Sequence, residues 1–279
     1  MNLKKISLRK TVSLLMLYGW CAFSLFVFCW IIASSLKTNR AFFSDIWGRV
    51  TDPQWGNYAK VWNNYQLGKY FLNSVIAVVS SVFILLAVSA PAAYALSRFP
   101  NRLLNGISRF IILGLGIPYQ LLLVPLFFQL FGLKMINTLE GLVLVYVALS
   151  VPFAVFLLLG FFKTLPRSLE EAAYIDGCGP VRTFVQIMLP LARNGLVTCG
   201  VLTFIGLWNE FLLALTFISK DSKYTLSMGL YALQGSLQYT GDWVSLFAGF
   251  TLVVIPTFLV FVMLSRVIVG GLTMGAVKE

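Results

Sequence analysis

The chain has 279 residues, of which 59% are hydrophobic and 11% charged, and its formal net charge is +11. Soluble domains carry roughly 25% charged residues, so this composition excludes a soluble globular domain and predicts an all-α membrane protein with about six transmembrane helices. The sequence has no histidine and its four cysteines form no metal-ligand spacing, so we expect neither a metal site nor catalytic residues.

Six apolar runs follow one another along the chain and predict six spans in a single membrane domain, residues 1–279. The first run follows several basic residues, as in a signal peptide, but it is too long for one and no small-residue cleavage site follows it. The glycines and prolines of the third run predict a helix that is not straight. The predicted spans cover residues 11–35, 70–96, 107–131, 139–162, 195–218 and 243–269.

The basic residues predict the orientation of the spans. They concentrate near the N-terminus, between the second and third spans and in residues 163–194, whereas the polar connections 36–69 and 219–242 mix them with acidic residues. The positive-inside rule therefore places both termini and residues 163–194 in the cytoplasm, and this explanation needs membrane lipid and no nucleic acid. Headgroup contact is the favoured interpretation, and sugar stacking the alternative, for the aromatic residues of the first connection, Trp47, Trp55, Tyr58, Trp62 and Tyr65.

A polar island, residues 163–194, separates the fourth and fifth spans. Ser168 and Glu171 match the S-x-x-E pattern of a capping box, and Gly177 supplies a residue on which a helix can end, which predicts a helix of about two turns. One face of this helix is small enough for another surface to approach closely, and it comprises Leu169, Ala172, Ala173 and Asp176.

A second helix is predicted directly after this one. Pro180 fits a first helical position, and Pro190 interrupts the pattern. Between the two prolines, one apolar stripe is predicted from Val181, Phe184, Val185 and Met188.

The fifth span contains the polar sequence Trp208-Asn209-Glu210. A carboxylate at mid-depth costs on the order of 3 kcal/mol unless it is protonated or faces a wet cavity. Two interpretations stay open. Asn209 and Glu210 can hydrogen-bond sugar hydroxyls on a translocation path, with Trp208 stacking on a sugar ring, or the two polar side chains can bond to a neighbouring helix.

The glycine-bearing tail, residues 270–279, is predicted to lie in the cytoplasm. No G-x-x-x-x-G-K-[ST] run occurs in the sequence, so this chain does not cradle ATP by that device. We therefore expect no cofactor on this chain and nucleotide on a partner.

The spacing of Glu171-Ala172-Ala173, Gly177 and Ile187-Met188-Leu189-Pro190 resembles the cytoplasmic coupling loop of permease subunits in binding-protein-dependent ABC importers. The resemblance extends over the whole chain to the maltose-type, second-subunit permeases of carbohydrate ABC importers. The further segments that carry it are Ala93–Phe99, Asn137-Thr138, Trp208–Phe211 and Gly271-Leu272-Thr273.

The resemblance implies a type I ABC importer permease fold with six helices in a bacterial cell membrane. It implies a second, homologous permease subunit, an extracytoplasmic solute-binding protein, and two ATPase subunits that hold ATP and Mg. Carried over residue by residue, it assigns the ATPase-coupling contact to Glu170, Glu171, Ala172, Ala173, Asp176 and Gly177. It assigns a tail contact with the ATPases to Gly271, Leu272, Thr273 and Gly275.

Three alternatives are weighed against this interpretation. A permease of a non-carbohydrate ABC importer shares the coupling loop, because that loop does not identify a solute. A secondary carrier is equally apolar, and it would depend on an ion gradient instead of ATP. A membrane-embedded enzyme is disfavoured, because the sequence lacks histidine and paired carboxylates within the spans.

Overall fold

The computed structural model describes the backbone of residues 8–99 and 101–276 and the side chains of residues 10–99, 101–237 and 239–263. This part of the chain is helical and contains no strand. The α-helices are α1 Leu8–Ser35, α2 Asn39–Ser44, α3 Gly56–Asn63, α4 Leu67–Arg98, α5 Arg102–Leu113, α6 Leu123–Gly132, α7 Leu139–Thr164, α8 Ser168–Ile175, α9 Pro180–Thr183, α10 Leu189–Leu191, α11 Arg193–Trp208, α12 Leu212–Phe217, α13 Leu226–Thr240 and α14 Trp243–Ala276.

Four helices, α1, α4, α7 and α14, are long and apolar enough to cross a membrane. Two further candidates are bent pairs, Arg102–Gly116 with Tyr119–Gly132 at 98° and Pro180–Leu191 with Arg193–Trp208 at 71°. The first pair confirms that the third apolar run is not one straight helix. The described residues therefore hold four spans, or up to six if each bent pair is one span, and the number six stays a prediction.

The fifth predicted span, 195–218, is not one continuous helix. Helix α11 ends at Trp208, and α12 is a separate helix that begins at Leu212. The Glu210 carboxylate accepts hydrogen bonds from the backbone N–H groups of Leu213 and Ala214, so it starts a new helix where hydropathy alone predicts a continuous one.

The predicted polar connections also contain helices. Helices α2 and α3 lie in the first connection, and α13 occupies most of the second. The end of the sixth predicted span, residue 269, is corrected as well, because α14 continues without a break to Ala276. The backbone of Gly271, Leu272, Thr273 and Gly275 is helical, and their side chains lie outside the described residues, as does all of residues 277–279.

The described residues form two compact units. The first comprises the described part of Met1–Leu67 together with Leu230–Ile255. Its polar centre is the buried side chain of Asp242, which accepts hydrogen bonds from Lys60 Nζ at 2.6 Å, Asn39 Nδ2 at 3.0 Å and Tyr65 Oη at 3.1 Å. Its apolar centre is an aromatic group in which Trp30 contacts Phe42, Trp47 and Phe247.

The second unit comprises Gly68–Gly229 and the described part of Pro256–Glu279. It has two apolar cores, one around Tyr94, Phe162 and Met188 and the other around Tyr146 and Phe217. Helices α7 and α11 approach closely at Gly195, where an added Cβ would lie 2.5 Å from the Phe161 ring. Glycine is required at this contact because any larger side chain would overlap the ring.

Candidate functional site

Helix α8, in the middle of the polar island, begins one residue earlier than its capping pattern predicts. Arg167 is the N-cap and its side chain makes no capping hydrogen bond, so the capping box predicted at Ser168 is wrong. The predicted end at Gly177 is confirmed. Gly177 has φ +75°, a conformation that favours glycine, and the next N–H, that of Cys178, bonds to the Ala173 carbonyl at 2.9 Å.

The two faces of α8 differ from the predicted ones. Glu170 and Ala173 are 7% and 3% exposed and face the protein's own interior. The residues between and after them, including Glu171, Ala172 and Asp176, are exposed, and Ile175 is 87% exposed. The prediction that Ala172 and Ala173 share one accessible face is therefore wrong. The helix presents an outer face around Ala172 and Ile175 and an inner face of Glu170 and Ala173.

The second helix of the island begins at Pro180, as predicted. Its apolar stripe is different from the predicted one, because Thr183 and Met188 are fully buried whereas Val181 and Val185 are exposed. A π turn, Phe184–Met188, precedes Pro190. Proline has no N–H to donate and its ring crowds the preceding turn, which accounts for the wider turn at this point. Pro190 does not end the helical path, which continues to Leu191 and bends beyond Ala192.

A cavity of about 580 Å³ lies in the second unit, beside two interruptions of regular α-helical structure. The breaks are residues 114–118, between α5 and α6, and residues 209–211, between α11 and α12. Irregular backbone at membrane depth is tolerated where it is buried or lines a wet cavity. The polar side chains of the lining are those of Tyr119, Tyr146, Ser150, Asn209 and Glu210.

Glu210 is held on several sides. Besides the two backbone N–H groups of α12, the Tyr146 hydroxyl on α7 donates to Oε2 at 3.1 Å. The bond to a neighbouring helix, one of the two interpretations left open by the sequence, is therefore present, and Glu210 also lines the cavity. Asn209 is exposed, lines the same cavity, and donates to the Ile205 carbonyl at 2.8 Å.

Trp208 is placed differently from Asn209 and Glu210. Its side chain is 3% exposed, stacks on Phe204 at 5.5 Å and meets the Phe71 ring edge to face at 5.6 Å. Because both neighbours are apolar and the indole is buried, this geometry does not present the ring for stacking on a sugar. The polar segment thus divides into a core tryptophan and two residues at the cavity.

Two residues at these sites were not singled out from the sequence. Arg98 pairs with Glu170, with 3.1 Å between Nε and Oε2, although the sequence had placed Arg98 only among the basic residues between the second and third spans and in the segment Ala93–Phe99. Tyr146 lies in a uniformly apolar run, which gives no signal of a polar contact. Only the acidic residues that they meet, Glu170 and Glu210, pointed to these places.

Comparison with known proteins gives a consistent family. Residues 84–273 match the family described as binding-protein-dependent transport system inner membrane component. The chain is 38% identical over 269 residues to the diacetylchitobiose uptake system permease protein NgcG of Streptomyces coelicolor, covering 96% of this chain and 88% of the relative. It is 32% identical over 249 residues to the probable starch degradation products transport system permease protein AmyC of Thermoanaerobacterium thermosulfurigenes, covering 89% and 90%.

A solved structure supports the fold. The chain is similar to a chain of a bacterial ABC transporter involved in the import of the acidic polysaccharide alginate, with a TM-score of 0.81 and 20% identity. The match covers 95% of this chain and 98% of the other. At this identity the likeness concerns the fold alone.

Proposed function

The chain belongs to the family of binding-protein-dependent transport system inner membrane components, and on this premise we propose that it is the permease subunit of an ATP-driven importer of carbohydrates. It is a multi-pass membrane protein and a transport component, not an enzyme. The observation that carries the carbohydrate assignment is the match over nearly the whole chain to relatives named for the uptake of diacetylchitobiose and starch degradation products.

The proposed assembly has a second, homologous permease, two ATPase subunits that bind ATP and Mg, and an extracytoplasmic binding protein. Six spans with both termini in the cytoplasm would place α8 on the side where the ATPases bind. The outer face of α8 supports this placement, because exposed apolar side chains mark an interaction surface. On α8 these side chains are Tyr174 and Ile175, and two more follow it, Val181 on α9 and Val185 in the π turn.

The proposed ATPase contact is distributed unevenly over the residues predicted for it. Glu171, Ala172, Asp176 and Gly177 are exposed and are proposed to touch the partner. Glu170 and Ala173 are buried, so their proposed role is to fix α8 to the rest of the chain. A tail contact through Gly271, Leu272, Thr273 and Gly275 stays part of the proposal.

The cavity is proposed as this subunit's part of the solute path. Its volume, about 580 Å³, suits a small oligosaccharide, and Asn209, Tyr119 and Ser150 offer hydrogen-bonding groups for sugar hydroxyls. Among the lining residues there is a carboxylate, Glu210, and no Lys or Arg. An acidic sugar would place its charge near an acid without a compensating cation, so the lining favours uncharged carbohydrates.

The test is uptake by the assembled complex, co-purified with its neighbours and reconstituted in vesicles with its binding protein. We expect uptake of a neutral chito- or malto-oligosaccharide that requires ATP inside the vesicle, is blocked by vanadate and survives collapse of ion gradients. A uronic acid oligosaccharide should be taken up poorly. Uptake that survives vanadate and stops when the proton or sodium gradient collapses would identify a secondary carrier instead.

A further inference from the structure

The Arg98 end of α4 is bound to the island by a buried ion pair. The carboxylate of Glu170, on the inner face of α8, lies 3.1 Å from Arg98 Nε, and the two side chains are only 10% and 6% exposed. The same guanidinium donates from Nη2 to the Leu165 carbonyl at 2.9 Å, just beyond the end of α7. Arg98 therefore fastens both the end of α7 and the island helix α8 to α4.

Tyr94, one turn before Arg98, extends this attachment. Its ring contacts Phe162 of α7 at 5.6 Å and Phe184 of the π turn at 5.0 Å. The C-terminal part of α4 thus contacts the end of α7 and two elements of the island, α8 and the π turn.

The opposite end of α4 is hydrogen-bonded to residues 221–226, the segment that leads into α13. The Tyr70 hydroxyl donates to the Asp221 carboxylate, and Asn73 Nδ2 donates to the Tyr224 carbonyl at 2.9 Å. Ser74 Oγ accepts the N–H of Leu226 at 2.8 Å. Because Tyr70 and Arg98 are 28 residues apart on one helix, these two sets of polar contacts are separated by up to about 42 Å.

We propose that the Arg98–Glu170 ion pair is the joint through which α8 moves α4, and that α4 carries this displacement to residues 221–226 at its other end. The proposal rests on the function proposed above. The outer face of α8 is free for a partner while its inner face is fixed to α4, so a force on α8 is transmitted to α4. The opposite charges of Arg98 and Glu170 attract at 3.1 Å in a buried site, where an ion pair is screened little, so this contact resists separation more than an apolar contact does.

The joint also has room for a second arrangement. The Tyr94 hydroxyl and Glu170 Oε1 line one cavity of about 180 Å³ with Arg98. These two atoms and Arg98 Nε are buried, and each lacks a hydrogen-bond partner among the residues described. The hydroxyl is a donor and the carboxylate oxygen an acceptor, so another position of α8 would allow a bond that this arrangement lacks. A contact that differs between two states is what a coupling element needs, because equal contacts shift no equilibrium.

The test compares sugar uptake with ATP hydrolysis in the reconstituted complex. Glu170→Gln and Arg98→Lys are expected to lower the sugar taken up per ATP hydrolysed, within the roughly 5- to 150-fold range that is typical of coupling between sites. The ATPase subunits should still co-purify, since the outer face of α8 is untouched. The double exchange Arg98→Glu with Glu170→Arg should recover part of the ratio, because it restores an ion pair with reversed direction.

The control is Lys69→Gln, which removes an exposed charge from the other end of the same helix and should leave the ratio unchanged. A wild-type ratio in Glu170→Gln and Arg98→Lys would overturn the joint while leaving the importer intact. A purely structural role predicts that all variants lose assembly and uptake together, with no recovery in the double exchange. A wild-type complex that takes up no sugar with ATP would instead refute the proposed function.

Discussion

Asp242 shows how single residues hold the first unit together across long distances in sequence. Its partners Asn39, Lys60 and Tyr65 are more than 170 positions away, with sequence separations of 203, 182 and 177. Burial raises the pKa of the Asp242 carboxyl, but hydrogen bonds from Lys60, Ser245 and Asn39 outweigh burial and lower the pKa to about 2. The hydrogen bond to Asp242 raises the pKa of Lys60 against the opposing effect of its burial. No pattern in the sequence identifies these partners, because none is a neighbour on one helix.

The lowered pKa of Asp242 predicts an acid-dependent loss of stability. The ordinary pKa of aspartate is about 3.9, so the stabilising contribution of Asp242 is fully present above about pH 4 and is lost as the pH falls through about 2. Lys60 also stabilises the fold, but the pH dependence of its contribution is opposite. This contribution is present below the ordinary pKa of lysine and is lost at more alkaline pH. The measurement is the midpoint of thermal unfolding in detergent as a function of pH, for the wild type and Asp242→Asn.

The difference in midpoint between these two proteins should be constant from about pH 5 to 9 and should shrink below pH 4. The control is Asp52→Asn, since Asp52 is exposed and bonds only locally, to Gln54. If both variants lose stability equally with acid, the carboxylate of Asp242 is not what holds these loops.

At the level of elements, continuous apolar runs were predicted well and interruptions poorly. The predicted spans 11–35, 70–96 and 139–162 agree with α1, α4 and α7 to within a few residues, because length and hydropathy define an uninterrupted helix. The helix of the fifth predicted span is interrupted at Glu210. There the Glu210 carboxylate, in place of helix carbonyls, accepts hydrogen bonds from the N–H groups of Leu213 and Ala214 at the start of α12. Helix α13 was missed because residues 219–242 contain no continuous apolar run and were predicted as a polar connection. This helix depends on tertiary contacts, such as the hydrogen bond from the Leu226 N–H to Ser74 Oγ.

The polar island, residues 163–194, shows a similar limit. Its helices were predicted in the right places, since proline and glycine fix their ends. The inward and outward faces of α8 were not predicted correctly. The capping pattern predicted a start at Ser168, and the burial of Glu170 is explained only by its pairing with Arg98, which is distant in the sequence. Arg98 and Glu170, which form an ion pair, are 72 residues apart in the sequence. Local sequence therefore predicted the site's location, and tertiary structure determined which residues face outward.

Glu210 allows the break between α11 and α12 to be tested. Glu210→Ala removes the acceptor for two N–H groups of α12 and for Tyr146, and loss of a helix cap alone costs about 0.5–2 kcal/mol. We expect a lower unfolding midpoint in detergent for Glu210→Ala. Tyr146→Phe removes one hydrogen bond and should cost less, about 0.5–1.5 kcal/mol.

The matched control is Asn209→Ala, because the Asn209 amide bonds only to a carbonyl of its own helix, that of Ile205. This variant should keep the wild-type unfolding midpoint within a small margin and should reduce sugar uptake if Asn209 lies on the solute path. Equal stability of Glu210→Ala and Asn209→Ala would show that the carboxylate does not hold α12.

At the scale of the whole molecule, the proposed function assigns the solute path and the partner contact to separate places. The cavity at the helix breaks has polar side chains in its lining, and the island has an exposed helix. Helix α4 extends from the island to residues 221–226. In the proposed function a partner supplies the energy of ATP hydrolysis, and the island is the part of the chain proposed to receive it.

The most direct measurement is photo-cross-linking from α8 in the complex assembled in native membrane vesicles. A photoreactive phenylalanine analogue replaces Ile175, which is 87% exposed, and as the control it replaces Tyr239 of the second connection, which is 89% exposed. Position 175 should give an adduct with an ATPase subunit whose yield changes when nucleotide is added, and position 239 should give none. An Ile175 position that reacts with membrane-impermeant reagents from outside the cell, or that yields no ATPase adduct in an active complex, would contradict the coupling role of the island.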